Sequence, residues 1–425
     1  KPEQLGWKPI LAARLEKNQE GGKFVAIDRS GDTDVVNGLQ LTAVDAGYVQ
    51  GLFDWLVEPC LCFVRKEVAE MSPTVDSALV VSLLNILEGL LARALKKFER
   101  VEGEEEVDDS VKAKQLKQRT QDVECCFIFS VVWSIGKTGS ERSQGLFSAF
   151  LENIISSLKC IESDFLVVYN ALQMRSWKAP DFTSAKYVKG SLILPMPCKV
   201  NFFECMYNPE ESKWKTWLDI MPNITIPPTA TYTSIVVPNA CSTQIGFMLD
   251  LLLKTSKHVL VCGPTGTGKS AYVNDTLTKK LPQDQFKTFT LGFSAKTSAN
   301  MTQDIIDGKL DKRRKGVYGP PMGQSSIIFV DDLNMPEVEE YGAQPPIELI
   351  RQLIDNGGWY DLKEKSWKTI VEVSLVAAMG PPGGGRNFVT PRLLRHFNLL
   401  CFAEFDDDTL RRIFSVIINW HFNKG

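Results

Sequence analysis

One short run, GPTGTGKS from Gly263 to Ser270, restricts the possible folds of this chain more than any other stretch. The apolar run HVLVC over 258–262 leads into it, and AYVNDTL follows from Ala271. This order predicts a strand, a glycine-rich turn and the start of a helix, which together point backbone N–H groups at a phosphate. Lys269 would contact the β- and γ-phosphates and the Ser270 hydroxyl would bind Mg²⁺. The run predicts a phosphate loop, against the alternative of a glycine-rich turn with a surface lysine.

The length and charge of the chain exclude several classes of protein. With 425 residues it exceeds the size at which a single core stops growing, so we expect two or three domains. Its net charge of −3 argues against a nucleic-acid-binding protein, which needs a concentrated basic surface. The longest apolar run, Cys125–Gly136, is too short to span a bilayer, so no membrane segment is predicted. The abrupt first residues are no signal peptide, and we expect a fragment.

Ten cysteines and three histidines show no metal-binding pattern. The close cysteine pairs, Cys60/Cys62 and Cys125/Cys126, lack the C-x2-C spacing of a zinc site. We expect reduced, buried thiols, and no metal other than nucleotide-bound Mg²⁺.

The first 230 residues carry structural patterns without a catalytic constellation. Residues 1–98 predict helices only, most clearly over 51–65 and 82–97, where apolar residues recur at helical spacing. The acidic run Glu102–Asp109 predicts a solvated linker, with a docking patch as the alternative. Two more buried helices are predicted over 125–136 and 144–161, and a β-hairpin over 199–217.

Apolar strand-like runs recur through the second half of the chain. Five of them, at 258–262, 288–293, 326–330, 371–379 and 397–403, are separated by segments long enough for crossover helices. This alternation predicts a parallel sheet that is covered on both faces.

The run SIIFVDD, over 326–332, is the second sign of nucleotide chemistry. A buried strand that ends in acids beside a phosphate loop would place Asp331 on Mg²⁺ and Asp332 near the attacking water. Two solvated aspartates at a strand end are the alternative. A GTPase is disfavoured because the chain has no N-K-x-D motif for reading the base.

The last predicted strands are joined by a glycine-rich loop and a basic turn. Met379–Asn387 could approach a γ-phosphate, and we expect Arg392 and Arg395 to lie on one short helix with Leu393 and Leu394 facing away. These arginines are either ordinary surface charges or, in a ring of ATPase subunits, residues that stabilise charge in a neighbour's site.

Longer runs resemble the third AAA+ module of a dynein heavy chain, and their sequences are most similar to those of axonemal (ciliary and flagellar) members. Besides the phosphate loop they are Phe293–Ala299, Val330–Pro336, Tyr341–Gln352, Gly357–Asp361 and Gly380–Asn387. Glu3–Pro9 resembles the segment after the last core strand of the preceding, second module. The resemblance covers essentially the whole chain.

The resemblance implies an α/β fold, namely an AAA+ P-loop large subdomain preceded by a helical small subdomain. Its parallel sheet would have the strand order 5-1-4-3-2. Residues 1–118 would be the tail and helical small subdomain of the second module. Residues 119–234 would be an N-terminal extension of the third module, and 235–425 its nucleotide-binding large subdomain.

The resemblance also implies a ligand, site residues and partners. The ligand would be ATP or ADP with Mg²⁺, which Ser270 and Asp331 would hold. Asp332 would be catalytic, while Arg392 and Arg395 would act on the neighbouring module's site. Microtubules, through other parts of the motor, and dynein intermediate and light chains would be further partners, in a ciliary or flagellar axoneme. The nucleotide-binding residues would be Val237, Pro264, Thr265, Gly266, Thr267, Gly268, Lys269, Ser270 and Ala271.

Three departures from the AAA+ pattern predict tight nucleotide binding with weak hydrolysis. Asp332 replaces the usual glutamate, which sets its carboxylate back by on the order of 1.5 Å, and a misplacement of about 1 Å can cost roughly a hundredfold in rate. Gly380 stands where a polar sensor is usual, and the segment 236–243 departs from the dynein form at Asn239 and Cys241. The alternative is a structural module that holds its nucleotide without hydrolysing it. A stand-alone AAA+ unfoldase or helicase is disfavoured.

Overall fold

The computed structural model describes residues 23–24, 39–40, 43–98, 109–157, 201–224, 226–232 and 235–423. Backbone packing divides the chain into two compact units. The first comprises Lys1–Ala69 and Leu79–Thr216, and the second comprises Glu70–Ala78 and Trp217–Gly425. The segment Glu3–Pro9 and the acidic run up to residue 108, on which two predictions rest, lie outside the described residues.

Helices and short antiparallel strand pairs make up the first unit. The pair β1 and β2 corrects our expectation of helices only over residues 1–98; two-residue strands are too short to give an alternating pattern in the sequence. The predicted hairpin, β3 with β4, is confirmed. The predicted helices are confirmed as well, except that residues 158–161 of the last one lie outside the described residues. In chain order its elements are β1 (Lys23–Phe24), β2 (Leu39–Gln40), α1 (Ala43–Glu67), α2 (Asp76–Leu95), α3 (Asp109–Ser134), α4 (Glu141–Ser157), β3 (Cys205–Asn208) and β4 (Lys213–Thr216).

Helix α3 joins the helices to the hairpin through a buried acid. Asp122 is fully buried; it accepts a hydrogen bond from the Tyr207 hydroxyl of β3 and lies 2.6 Å from the Lys97 ammonium. Lys97 also donates to the carbonyl of Pro209 in the hairpin turn, at 2.7 Å. A buried charge is tolerated when it is paired and hydrogen-bonded in this way. Helix α3 runs without a break across residue 118, and the predicted domain boundary there stays a prediction.

Among the described residues one helical stretch, Asp76–Phe98, is apolar and long enough to cross a membrane. Within its apolar window 72% of the residues are buried inside the protein. Burial in the protein core accounts for this composition.

The second unit alternates strands with helices. We predicted a strand over 371–379, but β12 begins at Val373, since Glu372 has a φ of 56° that a strand cannot continue through. Its elements are α5 (Ala240–Leu253), β5 (His258–Cys262), α6 (Lys269–Asp275, continued by a π-helical turn over Thr276–Lys280), β6 (Phe286–Gly292), α7 (Ala299–Asp307), β7 (Asp311–Arg314), β8 (Val317–Gly319), β9 (Ser325–Asp331), α8 (Pro345–Asn356), β10 (Gly358–Tyr360), β11 (Trp367–Ile370), β12 (Val373–Met379), α9 (Pro391–Leu394), β13 (Phe397–Cys401) and α10 (Asp407–Phe422).

Five of these strands form one sheet in the order β13-β5-β12-β9-β6, and every neighbouring pair is parallel. Numbered along the chain, this order is 5-1-4-3-2, as predicted. The central strands are buried on both faces, with Leu260 and Ile328 fully covered on one face and Val261 and Phe329 on the other. The predicted α/β fold, an AAA+ P-loop domain preceded by a helical region, is confirmed.

A second sheet, in the order β10-β11-β8-β7, was not predicted from the sequence. Lys368 of β11 pairs with Asp307 at 3.0 Å and with Asp361 at 2.5 Å. Hydrogen bonds from Lys368 and from the backbone N–H groups of Glu364 and Lys363 lower the pKa of Asp361 to about 2. These charged pairs tie β11 to the end of α7 and to the turn after β10, in a sheet that buries few apolar side chains.

Six of the eight described cysteines are buried. Cys160 and Cys198 lie outside the described residues. Across the described ranges no group of three or more His, Cys, Asp or Glu residues is arranged to hold a metal.

Replacing Ile328 by alanine should lower the free energy of unfolding by about 2–5 kcal/mol, because it leaves a cavity at the centre of the sheet. The matched control is Ile305→Ala on α7, where the side chain is 46% exposed and the change should stay within about 0.5 kcal/mol. Urea unfolding followed by tryptophan fluorescence measures both. Equal losses would contradict the assignment of β9 to the core.

Candidate nucleotide-binding site

The predicted phosphate loop lies between β5 and α6. Gly266 and Gly268 have φ angles of 87° and 69°, which residues with a Cβ rarely adopt, so the loop needs glycine there. The run from Pro264 to Thr267 forms the turn, and Ala271 is exposed in the first turn of α6. The residues of the pattern thus occupy the positions that a phosphate-binding turn requires.

Lys269, the first residue of α6, folds back over this loop. Its ammonium group donates to the Pro264 carbonyl at 2.5 Å and to the Thr267 hydroxyl at 3.3 Å. Burial lowers the pKa of Lys269, and the charge of Arg386 lowers it further, against the opposing effects of Cys262 and two aspartates. A partly desolvated ammonium held at the mouth of a glycine turn is a suitable partner for phosphate oxygens.

The two predicted Mg²⁺ ligands lie next to each other. The Ser270 hydroxyl donates to the Asp331 carboxylate at 2.7 Å, although the residues are 61 positions apart in the chain. The same carboxylate oxygen accepts the backbone N–H of Asp332 at 3.1 Å. A hydroxyl and a carboxylate are the oxygen donors that Mg²⁺ prefers beside nucleotide phosphates, so this pair fits the ion.

Asp332, the predicted catalytic acid, begins the turn after β9. Its φ of 52° is left-handed, and its side chain is 49% exposed toward solvent. The guanidinium of Arg386 lies 3.5 Å from its carboxylate. The acid is therefore accessible, as a residue that acts on water must be, and has a cationic neighbour.

Sequence reasoning missed Arg386, which follows the glycine run of the loop after β12. Gly380 has no side chain, and a Cβ built there would overlap the Arg386 guanidinium. The buried Asn334 holds the loop at both ends: its side-chain amide donates to the Gly380 carbonyl at 2.9 Å, and its backbone carbonyl accepts the Asn387 N–H at 3.1 Å. The sequence shows an arginine in this loop, but its position beside Gly380 depends on how the loop folds.

The segment before α5 contacts the phosphate-loop helix. Val237 is buried there, and Asn239 caps α5 by accepting the N–H of Ser242 at 2.7 Å. The Asn239 amide also donates to the Tyr272 hydroxyl of α6 at 2.8 Å. Burial raises the pKa of Tyr272 to about 12, so the hydroxyl keeps its proton at neutral pH. Asn239, noted in the sequence as a departure, thus links the segment that contains Val237 to the phosphate-loop helix.

The two predicted seam arginines differ in their surroundings. Helix α9 ends at Leu394, so Arg395 lies just beyond the helix, which corrects our placement of both arginines on it. Arg395 pairs with Asp355 at the end of α8 at 2.9 Å, and His396 lies 2.9 Å from the same carboxylate. Burial opposes ionisation of Asp355, but its hydrogen bond from Arg351 and its neighbours outweigh burial and lower its pKa. Arg392 is exposed.

Two dynein families match the chain. Residues 224–405 match the P-loop containing dynein motor region, and residues 49–219 match the dynein heavy chain AAA lid domain. The chain belongs to the dynein heavy chain family. Residues 224–405 are thereby a dynein motor AAA region.

Several axonemal dynein heavy chains are similar in sequence to this chain. Human dynein axonemal heavy chain 1 is 41% identical over 379 residues, which cover 88% of this chain and 8% of the relative. Rat dynein axonemal heavy chain 12 is 35% identical over 439 residues, covering 99% and 12%. Mouse dynein axonemal heavy chain 3 is 36% identical over 425 residues, covering 99% and 9%. The chain thus spans about a tenth of the length of these dyneins.

In this dynein chain, Asn239→Ala should lower the free energy of unfolding by about 1–2 kcal/mol, because α5 loses its cap and Tyr272 loses a partner. Asn239→Ser retains a capping hydroxyl and is the matched variant, with an expected loss of less than about 1 kcal/mol. Urea unfolding measures both. If the serine variant were as unstable as the alanine variant, the capping role of Asn239 would be wrong.

Proposed function

We propose that this chain is a regulatory nucleotide-binding module, the third AAA+ module of an axonemal dynein ring, preceded by part of the second. The observation that carries the proposal is the hydrogen bond of Ser270 to Asp331, which brings the Mg²⁺ ligands together beside Lys269. Bound Mg²⁺ would neutralise phosphate charge, while Lys269 and the loop N–H groups hold the phosphates and Val237 lies toward the base.

We further propose slow hydrolysis that gates motility of the motor. Asp332 is exposed at the site, but its side chain is shorter than that of the usual glutamate, and Gly380 offers no side chain to orient water. These features favour long retention of the bound nucleotide over its rapid hydrolysis. The second candidate, a structural module with permanently bound nucleotide, is favoured by the same two residues.

The remaining assignments follow from the place of the module in a ring. Arg392 and Arg395 would act on the site of the second module, which makes neighbouring AAA+ modules of the same heavy chain its direct partners. Microtubules, and the intermediate and light chains, would be reached through other parts of the motor in the axoneme. The boundary at 118 would separate the second module from the third, although α3 packs as one helix across it. The boundary at 234 would separate the N-terminal extension of the third module from its nucleotide-binding large subdomain.

Replacing Lys269 by alanine should weaken binding of a fluorescent ADP analogue at least roughly tenfold, because it removes the ammonium group that would contact the phosphates. The fold should be kept. Fluorescence titration of the 425-residue chain measures binding, and thermal unfolding without nucleotide checks the fold. Lys279→Ala, at an exposed lysine paired with Asp275, is the matched control and should bind normally. Full binding by the Lys269 variant, or none by the parent chain, would refute the proposed site.

Asp332→Asn should slow phosphate release at this site by at least about tenfold, because an amide is a far weaker base than a carboxylate. The measurement is single-turnover release in the intact motor with the first module disabled, where the neighbouring modules complete the site. Asp408→Asn on α10, with a side chain 88% exposed, is the control. Unchanged release in the Asp332 variant would exclude its catalytic role. Bound nucleotide with no release in the parent motor would favour the structural module.

A further inference from the structure

The space at the end of β12 that Gly380 leaves open is filled by a charged group from another residue. The Arg386 guanidinium occupies the volume that a side chain at position 380 would take. Its side chain is only 20% exposed, so the charge is directed into the protein and not toward bulk solvent. A cation thus stands in the place of the usual polar sensor.

The backbone fixes this position. Gly383 and Arg386 exchange hydrogen bonds in both directions, at 3.0 and 3.1 Å, which closes the glycine turn into a small antiparallel bridge. The next residue, Asn387, donates its side-chain amide to the Pro336 carbonyl at 2.8 Å. The loop therefore holds the backbone of Arg386 from both sides, despite its glycine content.

The charge of Arg386 acts on the phosphate loop. Gly380, whose side-chain space the guanidinium fills, follows Met379, and Met379 pairs with Cys262 and accepts the Gly263 N–H at 3.3 Å, so the guanidinium lies beside the start of the loop that ends at Lys269. Two cations at one edge repel each other unless anions lie between them. Asp332, at 3.5 Å, compensates one of them in part.

We propose that Arg386 is the residue that recognises the terminal phosphate of a bound triphosphate, from within the same module. The inference rests on the proposed nucleotide site and deepens it. A guanidinium matches phosphate geometry with two parallel donors, which a single asparagine-type sensor cannot supply. The module would then distinguish triphosphate from diphosphate by charge, even though its hydrolytic residues are weakened.

Two substitutions test this assignment in the 425-residue chain by different routes. Arg386→Gln removes the charge and keeps most of the length of the side chain, while Gly380→Ala leaves the arginine but displaces its guanidinium by overlap. Each should weaken binding of the slowly hydrolysed analogue ATPγS roughly tenfold and leave ADP affinity within about twofold. Arg411→Ala, at an arginine of α10 that is 79% exposed, is the control and should change neither affinity.

The readout is the ratio of ATPγS to ADP affinity, measured by competition against a fluorescent nucleotide, with thermal unfolding as the check on folding. A selective loss of ATPγS affinity in both variants supports the proposal. Unchanged affinities, or an equal loss of affinity for both nucleotides, overturn the proposed role of Arg386 without contradicting the proposed nucleotide site. A parent chain that binds neither nucleotide instead refutes the proposed function itself.

Discussion

Strand β12 pairs in parallel with β5 on one side and with β9 on the other, and the candidate site depends on this double pairing. Parallel strands end at the same edge of a sheet, so the phosphate loop, the two aspartates and Gly380 converge there. Two further hydrogen bonds join these ends: Gly263 donates to Met379 at 3.3 Å, and Leu333 donates to Ala378 at 3.0 Å. No residue of the site needs to be placed by a flexible loop alone.

The charges at this edge are close to balanced. The cations Lys269 and Arg386 lie opposite the carboxylates of Asp331 and Asp332. All four residues are partly buried and partly exposed to water. Each acid has a near partner, Ser270 for one and Arg386 for the other, whereas the lysine is satisfied by neutral oxygens of its own loop. The Lys269 ammonium therefore bonds only to neutral oxygens, and an anionic ligand would be the stronger partner for it.

Much of this fold could be read from the sequence because its signals are local. The phosphate loop and the five apolar strands are contiguous runs, and Asp331 follows its strand directly. The second sheet could not be predicted in this way, since β7 reads DKRR and lacks apolar alternation. Arg386 and the link between Asn239 and Tyr272 depend on which residues meet after folding. A loop of three glycines reads as flexible in the sequence, yet hydrogen bonds define its shape.

The hydrogen bonds of Asn334 to the loop after β12 also position the chain that follows this loop. Four residues lie between Arg386 and Pro391, where α9 begins, and the buried side chains of Val389 and Leu393 fasten this stretch to the core. The stretch is therefore held at both ends, by the Asn387 hydrogen bonds on one side and by these two side chains on the other. Only a short, anchored piece of chain thus joins the candidate site to the exposed Arg392.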